Sequence, residues 1–189
     1  ISADSSFSFI NQYDGEDAPD FEDSDGVIYA GATAYSTNYA HAEATDEGHA
    51  EVSHSDRANA TGVRVYYSTE EYSGFVSNSG LIYAEAYAGA AESGGQEAYA
   101  ESGDGEATAY VEHDVRANAT GGDITANEFI NTGLIVARAQ ADSSAYAHAE
   151  SDEEDAEATA NAWATAEATG LFLRGAYPDS IFSNAGLIS

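Results

Sequence analysis

From Gly26 onward, small apolar residues fall on every second position. Gly26-Val27-Ile28 is followed by Ala30, Ala32 and Ala34; Gly80-Leu81-Ile82 by Ala84, Ala86, Ala88 and Ala90; Gly133-Leu134-Ile135 by Ala137, Ala139 and Ala141. Between them stand Tyr29, Thr33 and Tyr35, then Tyr83, Glu85 and Tyr87, then Val136, Arg138 and Gln140. A period of two separates the faces of a strand. The face that accepts Glu and Arg is the wet one, so alanine points inward. The longest run, Ala156–Ala168, has alanine at every even position, with Trp163 and polar residues between. Alanine locally prefers helix, but strict alternation would scatter it around every side of a helix and leave no apolar stripe. The pattern predicts strands.

The strands recur. Gly-(Leu/Val)-Ile begins at Gly26, Gly80, Gly133 and Gly186, at spacings of 54, 53 and 53 residues. RANATG occurs at Arg57–Gly62 and Arg116–Gly121, with TAEATG at Thr165–Gly170. This divides the chain into a degenerate first copy (1–25, with an acidic insertion at 13–25), three full copies (26–79, 80–132 and 133–185) and the start of another (186–189). Stacked copies of one unit share stability between neighbours. The fold expected is all-β, a parallel β-solenoid of ~53-residue repeats with an alanine-rich, thin core. Such a length predicts two or three coils per copy, each copy advancing roughly 10–14 Å. The chain opens on Ile rather than Met, as a processed chain or an excerpt would. No polar cap is legible at Gly186–Ser189, so the array is expected to continue or its ends to stack on other chains.

Composition narrows the partners. The net charge is -29, from 34 acidic residues against five arginines and no lysine. Such a surface repels nucleic acid and anionic lipid. No apolar run is long enough to span a membrane, so no membrane insertion is expected. There is no Cys, which excludes thiol chemistry and disulfides.

Candidate chemistry is sparse. Asn11, Asn78, Asn131 and Asn184 share one register, predicting either a ladder of amides along the axis or separate Asn-led turns. The 13–25 segment holds Asp14, Glu16, Asp17, Asp20, Glu22, Asp23 and Asp25. Calcium takes six to eight oxygens, so these seven are candidate ligands, with a solvated acidic loop as the alternative. Asn59-Ala-Thr61 and Asn118-Ala-Thr120 match the glycosylation acceptor pattern. His41 and His148 occupy matching words, with Glu101 expected between them and a separation of 20 Å or more. Tyr29, Tyr35, Tyr83 and Tyr87 are expected to project outward and stack between copies. No nucleophile elbow, phosphate-cradling loop or zinc motif is present, and Arg57 and Arg116 occupy equivalent repeat positions. A non-enzymatic protein without a cofactor, unless calcium, is expected.

FINTGLIVARAQA (129–141), FVSNSGLIYAEAYAGA (75–90) and FSNAGLIS (182–189) resemble the Ile-x-Asn-(Ser/Thr)-Gly-x-Ile coils of autotransporter-like and filamentous-haemagglutinin-like surface proteins. The resemblance implies a parallel β-helix outside a prokaryotic cell and carries over no catalytic or ligand residue. The role expected is an extracellular filament, sheath or surface-layer subunit growing head-to-tail. The alternative is a monomeric adhesin rod gripping glycans through its tyrosine face.

Overall fold

Each copy contributes one strand to each of four parallel sheets. In the computed structural model the residues described are 2–3, 7–11, 26–67, 74–90, 95–175 and 179–189. The degenerate copy supplies β2 (Phe7–Asn11), and copy one β3 (Val27–Ser36), β4 (Asn38–Ala44), β5 (Gly48–Tyr67) and β6 (Gly74–Asn78). Copy two repeats the order as β7 (Leu81–Ala90), β8 (Gln96–Ser102), β9 (Ala107–Ala126) and β10 (Glu128–Asn131). Copy three gives β11 (Leu134–Asp142), β12 (Ala145–Ser151), β13 (Ala156–Gly175) and β14 (Ile181–Asn184), and the next begins with β15 (Leu187–Ile188). A short β1 (Ser2–Ala3) pairs with the end of β5. The sheets run β14-β10-β6-β2, β15-β11-β7-β3, β12-β8-β4 and β1-β5-β9-β13.

The expectation of two or three coils per copy is corrected by this register. Ala58 pairs with Ala117 and Ala117 with Ala166, so neighbouring copies are one strand apart. A copy therefore advances about 4.8 Å, the spacing of hydrogen-bonded strands. Across the interior, β6, β7 and β8 (5, 10 and 7 residues) face the 20-residue β9.

The interior between these layers is divided in three. At one end, Ala50, Val52, Ala107, Ala109 and Val111 of the long strands meet Ala98 and Ala100. In the middle, Ala58, Ala60, Val115, Ala117 and Ala119 meet Ala84, Ala86 and Ala88. At the far end the core thickens to Val63, Val65, Ile124, Val76, Ile82, Phe129 and Ile135. The RANATG word marks the change. Inward positions are Ala58 and Ala60 within it but Val63 and Val65 after it, a shift of parity by one residue. Glycine in a strand interior marks such a bend or a close backbone approach. Here both hold: a Cβ on Gly62 would sit 2.6 Å from the Gly121 carbonyl oxygen.

The corner before each alanine strand is tighter still. A Cβ on Gly133 would collide with the carbonyl oxygen of Gly80, and one on Gly186 with that of Gly133. Backbone presses on backbone, with no flexible side chain to yield. Gly133→Ala is therefore expected to cost about 3 kcal/mol, the upper range of overpacking penalties. The midpoint of chemical denaturation, read by circular dichroism, checks it; an unchanged midpoint would refute the close approach.

Candidate functional site

The asparagines form the ladder, not separate turns. Asn11 Nδ2 donates to Asn78 Oδ1 at 2.8 Å, Asn78 Nδ2 to Asn131 Oδ1 at 2.7 Å, and Asn131 Nδ2 to Asn184 Oδ1 at 2.6 Å. Parallel pairing of β2, β6, β10 and β14 puts each Asn opposite the next. Asn78 and Asn131 are fully buried, where an amide left without partners would cost about 1–3 kcal/mol. The backbone joins in: the amides of Thr132 and Gly133 donate to the Asn78 carbonyl, and those of Ala185 and Gly186 to the Asn131 carbonyl.

The seven candidate calcium ligands, Asp14 to Asp25, lie outside the described residues. Among the described residues no three or more His, Asp or Glu side chains group so as to hold a metal ion. Acid-lined grooves do occur. Glu43, Glu101 and Glu150 stand in register on the outer face of β4, β8 and β12, beside Asp152. Asn59 and Asn118 are also in register, Asn118 Nδ2 donating to Asn59 Oδ1 at 3.0 Å on the exposed face.

The aromatic rungs differ from expectation. Of Tyr29, Tyr35, Tyr83 and Tyr87, only Tyr29 and Tyr83 share a register, their rings 5.8 Å apart and 16° from parallel. Thr33 stands opposite Tyr87, and Gly89 opposite Tyr35. Tyr83 is buried although it has outward parity, because Tyr29 covers one side and the Arg138 guanidinium lies 5.6 Å from its ring centroid. Loss of hydration, then the Glu85 charge, raises its phenol pKa above the ordinary value. On the adjoining sheet the residue between His41 and His148 is Tyr99, not Glu101. The two histidines are two strand spacings apart, about 10 Å, rather than 20 Å. Tyr39 and Tyr146 lie diagonally over Tyr99, each at 5.4 Å between centroids.

The arginines take structural positions. Arg57 and Arg116 are in register, and Arg116 is held by Asp114 on its own strand at 2.9 Å. Asp123 lies between Arg64 (3.4 Å) and Arg174 (3.8 Å) and accepts from the Tyr66 hydroxyl.

Sequence reasoning missed a buried polar cluster where the alanine core meets the Ala/Val core. His113 is completely buried, and its Nε2 lies 2.9 Å from Asp56 Oδ2. A carboxylate only accepts, so Nε2 carries the proton. Ser36 Oγ donates to the same oxygen at 2.9 Å, and His54 Nε2 is 3.4 Å from Oδ1. Gln96 Nε2 donates to Ser36 Oγ, and Asn38 Nδ2 to Gln96 Oε1. The signal was parity: His54 and Asp56 share the inward register of Ala50 and Ala58. This is not a nucleophile relay, since the carboxylate, rather than the imidazole, stands between serine and histidine.

No protein-family model, no curated protein and no solved structure matches this chain, and the functional reading rests on the geometry.

Proposed function

We propose that the four parallel sheets wind as one β-solenoid, and that this chain is a structural subunit of an extracellular filament, sheath or surface layer. It extends by head-to-tail stacking. The observation that carries the reading is the state of equivalent alanines. Ala107, Ala109, Ala117 and Ala119 are buried, while their register partners Ala156, Ala158, Ala166 and Ala168 are exposed. A further copy laid on this face would bury the same stripe. Open parallel edges are ordinarily covered; a filament subunit exploits them.

The corner asparagines, and Asn59 with Asn118, recur along the axis and bond to their own counterparts, which favours a mechanical role over a catalytic one. The acidic exterior suits hydration and cation uptake outside the cell. The seven carboxylates between Asn11 and Gly26 in the sequence make calcium the cation to test. The glycan-gripping rod is the second reading, motivated by exposed Tyr35, Tyr39 and Tyr146. Against it, Tyr83 is buried beneath Tyr29 and Arg138 and presents no open face to a sugar.

Negative-stain electron microscopy of the purified chain, with calcium and then with chelator, separates the readings. Uniform filaments are expected, shortening when calcium is withdrawn. Dispersed short particles in both conditions would sink the filament and favour the glycan-binding rod.

A further inference from the structure

Tyrosine is the side chain that an oxidant meets first on this chain. The sequence holds thirteen tyrosines and one tryptophan, but no cysteine and no methionine. The sulfur side chains that ordinarily consume oxidants are absent, so electrons must come from aromatic rings.

Among the described residues, tyrosine rings adjoin across strands in two places. Tyr29 and Tyr83 lie face to face, 16° from parallel, and Tyr83 is buried. Tyr99 is placed differently. It is half-buried on the outer face of β8, with Tyr39 of copy one and Tyr146 of copy three each 5.4 Å away between centroids and tilted by 42° and 46°. Tyr39 and Tyr146 are exposed, and an oxidant reaches them from solvent. Rings tilted in this way are not locked face to face. A turn of the exposed partner brings together the ring carbons beside the two hydroxyls.

The phenolic protons also have somewhere to go. The Tyr39 hydroxyl oxygen lies 3.1 Å from His41 Nδ1. The Glu97 carboxylate accepts from the Tyr99 hydroxyl and stands opposite both Tyr39 and Tyr146 in the register. Loss of hydration, then the Glu97 charge, raises the Tyr99 phenol above its ordinary pKa. The phenol therefore keeps its proton until an electron leaves, and then has a base at hand.

We propose that Tyr99 is a site of oxidative cross-linking, where a peroxidase acting with hydrogen peroxide joins it to Tyr39 or Tyr146. Each of the two phenols gives one electron to the peroxidase and one proton to His41, Glu97 or water. The two phenoxyl radicals pair their electrons in one carbon–carbon bond between ring positions ortho to the oxygens. The hydrogens on those two carbons then move to the oxygens as protons, restoring both phenols. The peroxide takes up the two electrons and two protons and leaves as two water molecules. The bond ties neighbouring copies together. In the unfolded chain it closes a loop of about 50–60 residues, the kind of closure by which a disulfide stabilises, in a chain that has no cysteine. It forms within one dispersed chain and does not rest on the filament reading.

The test treats the dispersed full chain with a peroxidase and hydrogen peroxide. Dityrosine fluorescence and intact mass are read, and the joined peptides are mapped after proteolysis at acidic residues. Wild type is expected to yield monomers lighter by two hydrogen atoms, with the bond between Tyr99 and Tyr39 or Tyr146. Tyr99→Phe keeps the ring and is expected to lose nearly all of this intramolecular dityrosine. Tyr35→Phe removes an exposed phenol that has Gly89 rather than a ring opposite it, and is expected to keep the wild-type yield. Circular dichroism checks that both variants are folded. An undiminished yield from Tyr99→Phe, bonds that avoid Tyr99, or no dityrosine from wild type would each overturn the proposal.

Discussion

Ala117→Leu is expected to destabilise the chain by about 3 kcal/mol or more, at or beyond the upper range of overpacking penalties. Ala117 is fully buried, and its neighbours in the mid-core are Ala58, Ala60, Ala84, Ala86, Ala88, Val115, Ala119 and Ala137. An ordinary core absorbs added carbons by rotating longer side chains, but methyl groups have nothing to rotate. The three extra carbons must push the two layers apart. Because Ala117 is hydrogen-bonded in register between Ala58 and Ala166, the wedge strains the copies on both sides. For a chain of this length, 3 kcal/mol corresponds to a fall in Tm of about 6–12 °C. Two substitutions of the same chemistry serve as comparisons. Ala166→Leu occupies the same register on the exposed face, and Arg57→Leu lies on the outer surface of β5. Both are expected to stay within about 0.5 kcal/mol of wild type under conditions that keep the chain dispersed. Thermal melts of the three variants decide the matter. A loss at Ala117 no greater than at Ala166 would mean that the alanine layer is not closely packed.

The sequence announced this layer more clearly than it announced the arrangement of the sheets around it. Alternation identified the inward face at Ala84, Ala86 and Ala88 of β7 and at Ala137 of β11, against alanine's own preference for helix. In-register pairing with two neighbouring copies supplies the backbone partners that intrinsic preference does not. Asn78, Asn131 and Asn184 were legible as one register because they are spaced a constant 53 residues apart, whereas Asn11 stands 67 residues before Asn78. The number of coils was not legible, because length was judged against a core of ordinary thickness. Alanine permits a flat section in which a 20-residue strand faces three shorter ones laid end to end. Tyrosine rungs were misjudged for a related reason. The connection into β4 is the single residue Thr37, that into β8 spans 91–95, and that into β12 is 143–144. Unequal corners displace the numbering locally, so His41 aligns with Tyr99 although the copies keep nearly equal totals. RANATG was visible as a repeated word, but its Thr-Gly step is also where inward parity shifts, and that needs the facing residues Val76 and Ile82 to be known.

The polar cluster at Asp56 had a legible parity but no legible partners, since Ser36, Gln96 and His113 come from three different strands. Its removal gives the other large effect: Asp56→Val is expected to cost about 2–6 kcal/mol, since two donors lose their acceptor at about 1–3 kcal/mol each. Valine nearly matches aspartate in shape, so little of this loss comes from a cavity. It comes from the His113 Nε2 proton and the Ser36 hydroxyl, which lose their acceptor in a site where His113 is closed to water. The chain contains its own apolar version of the same place. Val115 stands opposite Asp56, and Ala162 opposite His113 one copy further on. Converting both partners should therefore restore much of what one substitution removes, because a matched apolar pair leaves no orphaned donor. In a double-mutant cycle of Asp56→Val and His113→Val, the double variant is expected to be more stable than the sum of the singles by about 2 kcal/mol, within the range seen for residues in one network. Urea denaturation of the four proteins measures this. Additive losses would show that Asp56 and His113 do not depend on one another. A coupling of the expected size would mean that the interior of copies one and two is held in register by a polar rank, which copy three replaces with Ala145 and Ala162.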